Sequence, residues 1–174
     1  MRVDFYQLSQ TPVEGALPQL AAKMREAGAR VLVVSADEAQ LGRISDALWA
    51  VKADFLAHAP AGGPHDSRQP ILLAQSLTAP NDATFLALAD GLWREGAETF
   101  DRVFLLFDGQ TIEGARATWR SLDGREGMER HYWRQLAPGT VAACLTCALY
   151  PCTTFERRAN GDETEQQPAT GDAG

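Results

Sequence analysis

Phe100-Asp101-Arg102-Val103-Phe104-Leu105-Leu106-Phe107-Asp108-Gly109-Gln110 is the stretch that decides how the chain reads. Val103 to Phe107 is apolar without alternation, as in a strand buried on both faces of a parallel sheet. Asp108-Gly109 ends that strand in a turn. Downstream, Ala115-Arg116-Ala117-Thr118-Trp119-Arg120 reads as a helix, and His131-Tyr132-Trp133-Arg134-Gln135 as a short aromatic strand. Helix positions three and four apart share a face, so Arg116, Trp119 and Arg120 make one patch with two guanidinium groups around an indole. Such a patch suits an anionic partner that also has an apolar group to bury. It is poor equipment for bond-making chemistry.

The same strand-and-helix alternation runs upstream. Val3 to Leu8 suits a first strand, and Arg30 to Val34 and Pro70 to Ala74 are short buried runs. Thr11-Pro12-Val13-Glu14 has the form of a capping box. Pro18 kinks the first turn of that helix or marks its true start. Leu20, Ala21, Met24 and Ala27 form its apolar stripe, and Gly28 stops it. Ser35 or Asp37 caps a second helix through Leu41, Ile44, Leu48 and Trp49. Ala59-Pro60-Ala61-Gly62-Gly63-Pro64 reads as a surface loop. Asn81 or Asp82 opens a further helix through Phe85, Leu86, Leu88, Ala89 and Leu92. The alternation predicts an α/β three-layer sandwich with a mostly parallel central sheet. It leaves the strand order open.

Of 174 residues, 45% are hydrophobic and 22% charged, ordinary values for one soluble globular domain. That domain is expected over residues 1–139. Residues 140–174 form an atypical C-terminal extension, expected to be disordered from about 156 because it lacks periodicity and is rich in Gly, Glu, Gln and Thr. Met1-Arg2-Val3-Asp4-Phe5 does not begin a signal peptide, and no apolar run approaches the ~20 residues of a membrane span. The expected location is cytoplasmic, with no membrane partner. A net charge of -7 disfavours direct contact with nucleic acid, whose phosphates demand a basic footprint. If the protein works near DNA, another protein holds it there.

Evidence of an enzyme is sparse in the residues. Ser9-Gln10-Thr11-Pro12-Val13-Glu14-Gly15, after the first strand, has neither the glycines of a dinucleotide loop nor the lysine of a phosphate loop. Asp37, His58 and Asp108 are the candidates for a nucleotide-dependent α/β enzyme working at the C-terminal edge of the sheet. Their structural alternatives are a helix cap for Asp37 and a turn for Asp108. Cys144 and Cys147 have the spacing of a zinc half-site, but with Cys152 and His131 as the remaining neighbours no second pair completes a tetrahedron. No metal, cofactor or catalytic residue is expected.

Several short segments, in order, resemble the chi subunit of bacterial DNA polymerase III, a component of the clamp-loader assembly. They are Val3-Asp4-Phe5-Tyr6, Gly28-Ala29-Arg30-Val31-Leu32-Val33, Ala47-Leu48-Trp49, Phe55-Leu56-Ala57-His58, Gln69-Pro70-Ile71-Leu72-Leu73, Phe107-Asp108-Gly109, Ala115 to Arg120 and Tyr132-Trp133-Arg134-Gln135. The resemblance implies a Rossmann-like α/β fold without catalytic activity. It also implies two partners, the psi subunit and the acidic C-terminal tail of single-stranded DNA-binding protein. In the family an aromatic residue followed by a basic one on the late helix, with another basic residue one turn earlier, receives that tail. Those positions fall on Trp119, Arg120 and Arg116. Arg120 would clamp the terminal carboxylate, Trp119 would wall the apolar pocket, and Arg116 would meet an upstream acid.

Three departures stand out. Ala57 replaces the proline usual before the histidine. The interval from Trp119 to the aromatic strand is one residue longer, so Asp123-Gly124-Arg125-Glu126-Gly127 is expected to reshape one wall of the pocket. Family members show Gly-x-Trp and then end, whereas Gly139-Thr140-Val141 leads here into the extension. A shifted reading frame near Gly139 would account for that change, and an intact frame in the transcript would exclude it.

Overall fold

Seven parallel strands build the sheet of this computed structural model, which describes residues 1–52 and 54–135 and the backbone of Phe155–Arg158. In chain order the elements are β1 (Arg2–Gln7), α1 (Val13–Glu26), β2 (Val31–Val34), α2 (Glu38–Trp49), β3 (His58–Pro60), β4 (Ile71–Ala74), β5 (Phe85–Leu88), β6 (Arg102–Phe107), α3 (Ile112–Ser121), β7 (Glu129–Gln135) and β8 (Phe155–Arg158). The strand order is β3-β4-β2-β5-β6-β1-β7-β8. Strands β1 to β7 are parallel, and β8 runs antiparallel along the outer edge of β7. The α/β sandwich read from the alternation is therefore present, with its sheet parallel throughout β1–β7.

The direction of each crossover decides where the helices lie. β1 to β2 and β2 to β3 move one way across the sheet, and α1 and α2 cover one face together. β6 to β7 moves the other way and puts α3 on the opposite face, as right-handed connections require. The core divides accordingly. Leu17, Leu20, Met24, Ile44 and Leu48 pack with Tyr6, Val33, Leu106 and Trp133 on the first face. Ala115, Leu122 and Phe100 pack with Val3, Phe5, Leu88 and Leu105 on the second, with Trp119 and Tyr132 at its margin.

Local signals hold at several ends. Gly28, at φ +76°, follows the C-cap Ala27 of α1; its N–H donates to Arg25 O and the Ala29 N–H to Met24 O, a Schellman stop. Asp37 caps α2 by accepting the Ala39 N–H at 2.9 Å. Asp108 accepts from the N–H groups of Gln110 and Thr111 and so makes the turn into α3.

Other expectations are corrected. The helix expected from Asn81 or Asp82 is strand β5. Leu86 and Leu88 enter one core and Ala87 and Ala89 the other, the mark of a strand buried on both faces. A run this short fits a helix or a strand equally by spacing, and burial on two sides settles it. Asn81 is instead fully buried, its Nδ2 donating to Gln69 O at 3.1 Å. Ala59-Pro60 belongs to edge strand β3 rather than to the loop; proline is tolerated at such an edge. At α1 the N-cap is Pro12, and Thr11 makes no cap bond. Its Oγ1 accepts from Gln135 Nε2 at 2.6 Å. Pro18 lies inside α1, which runs unbroken from Val13. The expected disorder of the extension and the half-site Cys144 and Cys147, with Cys152, fall outside the described residues apart from β8.

Candidate functional site

The amphipathic pattern of α3 sets the site. At about 100° per residue, Ala115, Trp119 and Leu122 lie within about 60° of one another and face the sheet. Ala115 and Leu122 are buried, and Trp119, at the border of that face, is half-buried. Arg116 and Arg120 stand about 60° and about 100° round the helix from Trp119, on its exposed flank. Arg116 pairs with Glu113 at 2.9 Å, both ends open to water, a contact worth little. Arg120 is exposed and makes no ion pair or side-chain hydrogen bond among the described residues.

The Phe5 ring packs against the indole in a T-shaped contact, centroids 5.0 Å apart. Above it lies a residue that the sequence reading left out. The Arg130 guanidinium covers the Trp119 ring at 4.5 Å from its centre, donates to the Trp119 carbonyl and pairs with Asp123. Of the five-residue interval Asp123–Gly127, Asp123 is the residue that meets Arg130 beside the indole. Period-2 alternation was the available signal: Arg130 and Tyr132 lie on the same face of β7, and Tyr132 packs on the α3 side.

A buried charge cluster ties β7 and β6 to β1. Asp4, fully buried in β1, accepts from Arg2 Nη2 at 2.8 Å, from Arg102 Nε of β6 at 2.6 Å and from Trp133 Nε1 of β7 at 2.8 Å. One carboxylate therefore binds its strand to both neighbours. Gly91 holds the other end of α3. It has φ +71°, and a Cβ there would lie 2.6 Å from Thr111 Oγ1 at the helix start.

The residues of the enzyme reading are not brought together. Asp37 and Asp108 follow β2 and β6 at the C-terminal edge, with β5 between those strands. His58 opens β3 at the N-terminal edge, where Nε2 meets Ser45 Oγ at 2.9 Å and Nδ1 meets Leu56 O at 2.7 Å. After β1, where a phosphate loop would sit, Gln135 Oε1 accepts the N–H groups of Ser9, Gln10 and Thr11 at 3.1, 2.9 and 3.1 Å. Three amides that could face an anion are already engaged.

A second surface lies on the α2 face. Trp49 and Phe55 are 56% and 70% exposed, with ring centres 5.8 Å apart, and the Trp49 ring lies 4.5 Å from that of His58.

Residues 1–129 match the family model for the DNA polymerase III chi subunit, HolC. The chain belongs to the chi subunit family. Its role is therefore that of a replication accessory protein, with partners in the DNA polymerase III holoenzyme. The match takes in α3 with Arg116, Trp119 and Arg120 and stops one residue short of Arg130. Curated proteins include no match to the chain. Among the described residues no helix is long and apolar enough to cross a membrane, and no His, Cys, Asp and Glu cluster could hold a metal ion.

Proposed function

We propose that this chi-family protein is a non-enzymatic adaptor that receives the acidic C-terminal tail of single-stranded DNA-binding protein at the α3 notch and links it to the clamp loader. The observation carrying this reading is the half-buried Trp119 flanked by the exposed Arg120, unpaired among the described residues, and the weakly paired Arg116. A tail of this kind ends in an apolar side chain beside a free carboxylate, with acids upstream. Arg120 clamps the carboxylate, the Trp119 ring edge meets the apolar group, and Arg116 exchanges Glu113 for an upstream acid. The net charge of -7 agrees with reaching DNA through a bound protein rather than directly.

Linking two partners needs two surfaces that do not compete. The Trp49–Phe55 pair is the surface we assign to the psi subunit, because exposed neighbouring aromatics suit an apolar protein contact. It belongs to the α2 face near edge strand β3, whereas the notch belongs to the α3 face near β7. Six strand spacings separate β3 from β7, roughly 29 Å across the sheet. Both partners then fit at once, in the cytoplasm where the replication machinery works.

Calorimetric titration with a peptide of the partner's C-terminus tests the reading. Arg120→Ala should weaken binding by about 1.5–3 kcal/mol, the worth of a hydrogen bond to a charged group. Equal affinity for the two proteins refutes the pocket.

A further inference from the structure

Arg130 is an unusual surface cation. Its side chain is 15% exposed, one face stacks on Trp119, and its edge N–H groups serve the Trp119 carbonyl and Asp123. Asp123, by contrast, is 72% exposed, and the Oδ1 that meets Arg130 also accepts the Gly124 N–H at 3.1 Å. A guanidinium stacked on an indole keeps its planar fork of donors free for carboxylate, and its partial desolvation strengthens the pairing. The pair therefore joins a well-anchored cation to a carboxylate that water reaches easily.

We propose that Arg130 is a third carboxylate receptor of the notch and that Asp123 is an intramolecular stand-in for an acidic side chain of the incoming peptide. The proposal rests on the reading of the α3 notch as an acidic-tail site and adds to it a residue and a competitor. Binding exchanges one exposed carboxylate for another on the same donors, and the indole stays covered throughout. Arg130 thereby favours peptides with an acid placed to reach past the Trp119 ring, while Asp123 sets how readily they enter.

A structural role alone, Arg130 holding the C-terminal turn of α3, makes a different forecast for the same variants. The test is titration of the full chain with the acidic C-terminal peptide for wild type, Asp123→Asn and Glu126→Gln, the last changing the same charge in the same interval without touching Arg130. Asp123→Asn should bind about two- to fivefold more tightly, the range expected for freeing one exposed ion pair. The gain should shrink with added salt, and Glu126→Gln should stay at the wild-type value. Arg130→Lys, which keeps the charge and loses the fork, should bind more weakly than wild type and gain nothing from Asp123→Asn. Wild-type binding with no gain in Asp123→Asn, or an equal gain in Glu126→Gln, overturns this proposal and leaves the notch standing. Failure of wild type to bind the peptide at all removes both.

Discussion

The Arg130 guanidinium lies over the indole of Trp119, 4.5 Å from its centre, and the same indole packs against the Phe5 ring with centroids 5.0 Å apart and planes steeply inclined. Under the proposed function, a partner would meet the exposed part of the indole and the flank carrying Arg116 and Arg120. Trp119 packs against the second core, so its substitution tests packing as well as the proposed recognition.

Trp119→Ala should lower unfolding stability by about 2 kcal/mol, short of the ~3–5 kcal/mol for emptying a fully buried aromatic site. Denaturant melts read this directly. The variant should remain folded and lose peptide affinity. A loss of 5 kcal/mol or more with intact binding in the residual folded protein would make Trp119 a core residue only.

Trp49→Ser with Phe55→Ser should abolish co-purification with the psi subunit while leaving peptide affinity at the notch within error. The two rings are exposed, so the thermal midpoint should barely move. Loss of both interactions together would contradict the assignment of separate surfaces.

Asp4→Asn should destabilise the fold by about 3–5 kcal/mol, because it leaves Arg2 and Arg102 in a partly buried site without their counter-charge. Since Asp4 also fixes Trp133 of β7, the damage should spread to the notch. Hydrogen exchange should show β7 opening more readily than β4. A uniform change along the sheet would argue that the cluster does not place β7.

Asp90 supplies a pH signature. Burial acts to raise its carboxyl, but the pair with Arg94 and the N–H groups of Ala36 and Leu92 outweigh burial and hold it below its ordinary value of 3.8. A carboxyl depressed in the folded state adds stability that is complete above its unfolded pKa and is lost as the pH falls through the folded one. Asp90→Asn should therefore cost stability at pH 7, and its deficit against wild type should narrow below about pH 4. A deficit that stays constant to pH 2.5 would contradict this.

Much of the layout was legible because it is written in short-range chemistry. Gly28 has the left-handed φ that ends a helix, Asp37 has the oxygen that caps one, and the unbroken apolar runs at Val31 and Val103 have nowhere to lie but inside a parallel sheet. β5 departs from the helix its sequence suggests because Phe85, Leu88, Ala89 and Leu92 fall at helical spacing by coincidence, while the two cores that bury the segment are made by residues far along the chain. Thr11 has the local form of a cap, yet Gln135, 124 residues on, takes its hydroxyl. The candidate site was half legible for the same reason. Arg116, Trp119 and Arg120 share one helix, but Arg130 reaches Trp119 only because β7 lies parallel to β1, a pairing that no local pattern announces.

The most direct measurement compares two peptides of the partner's acidic C-terminus that differ only at the last group, free carboxylate against amide, titrated into the full chain at low and moderate salt. If the guanidinium groups beside Trp119 receive a chain end, amidation should weaken binding at least tenfold, and the remaining affinity should fall further with salt. Indistinguishable affinities for the two peptides would contradict the account, because the carboxylate at the chain end would then have no receptor.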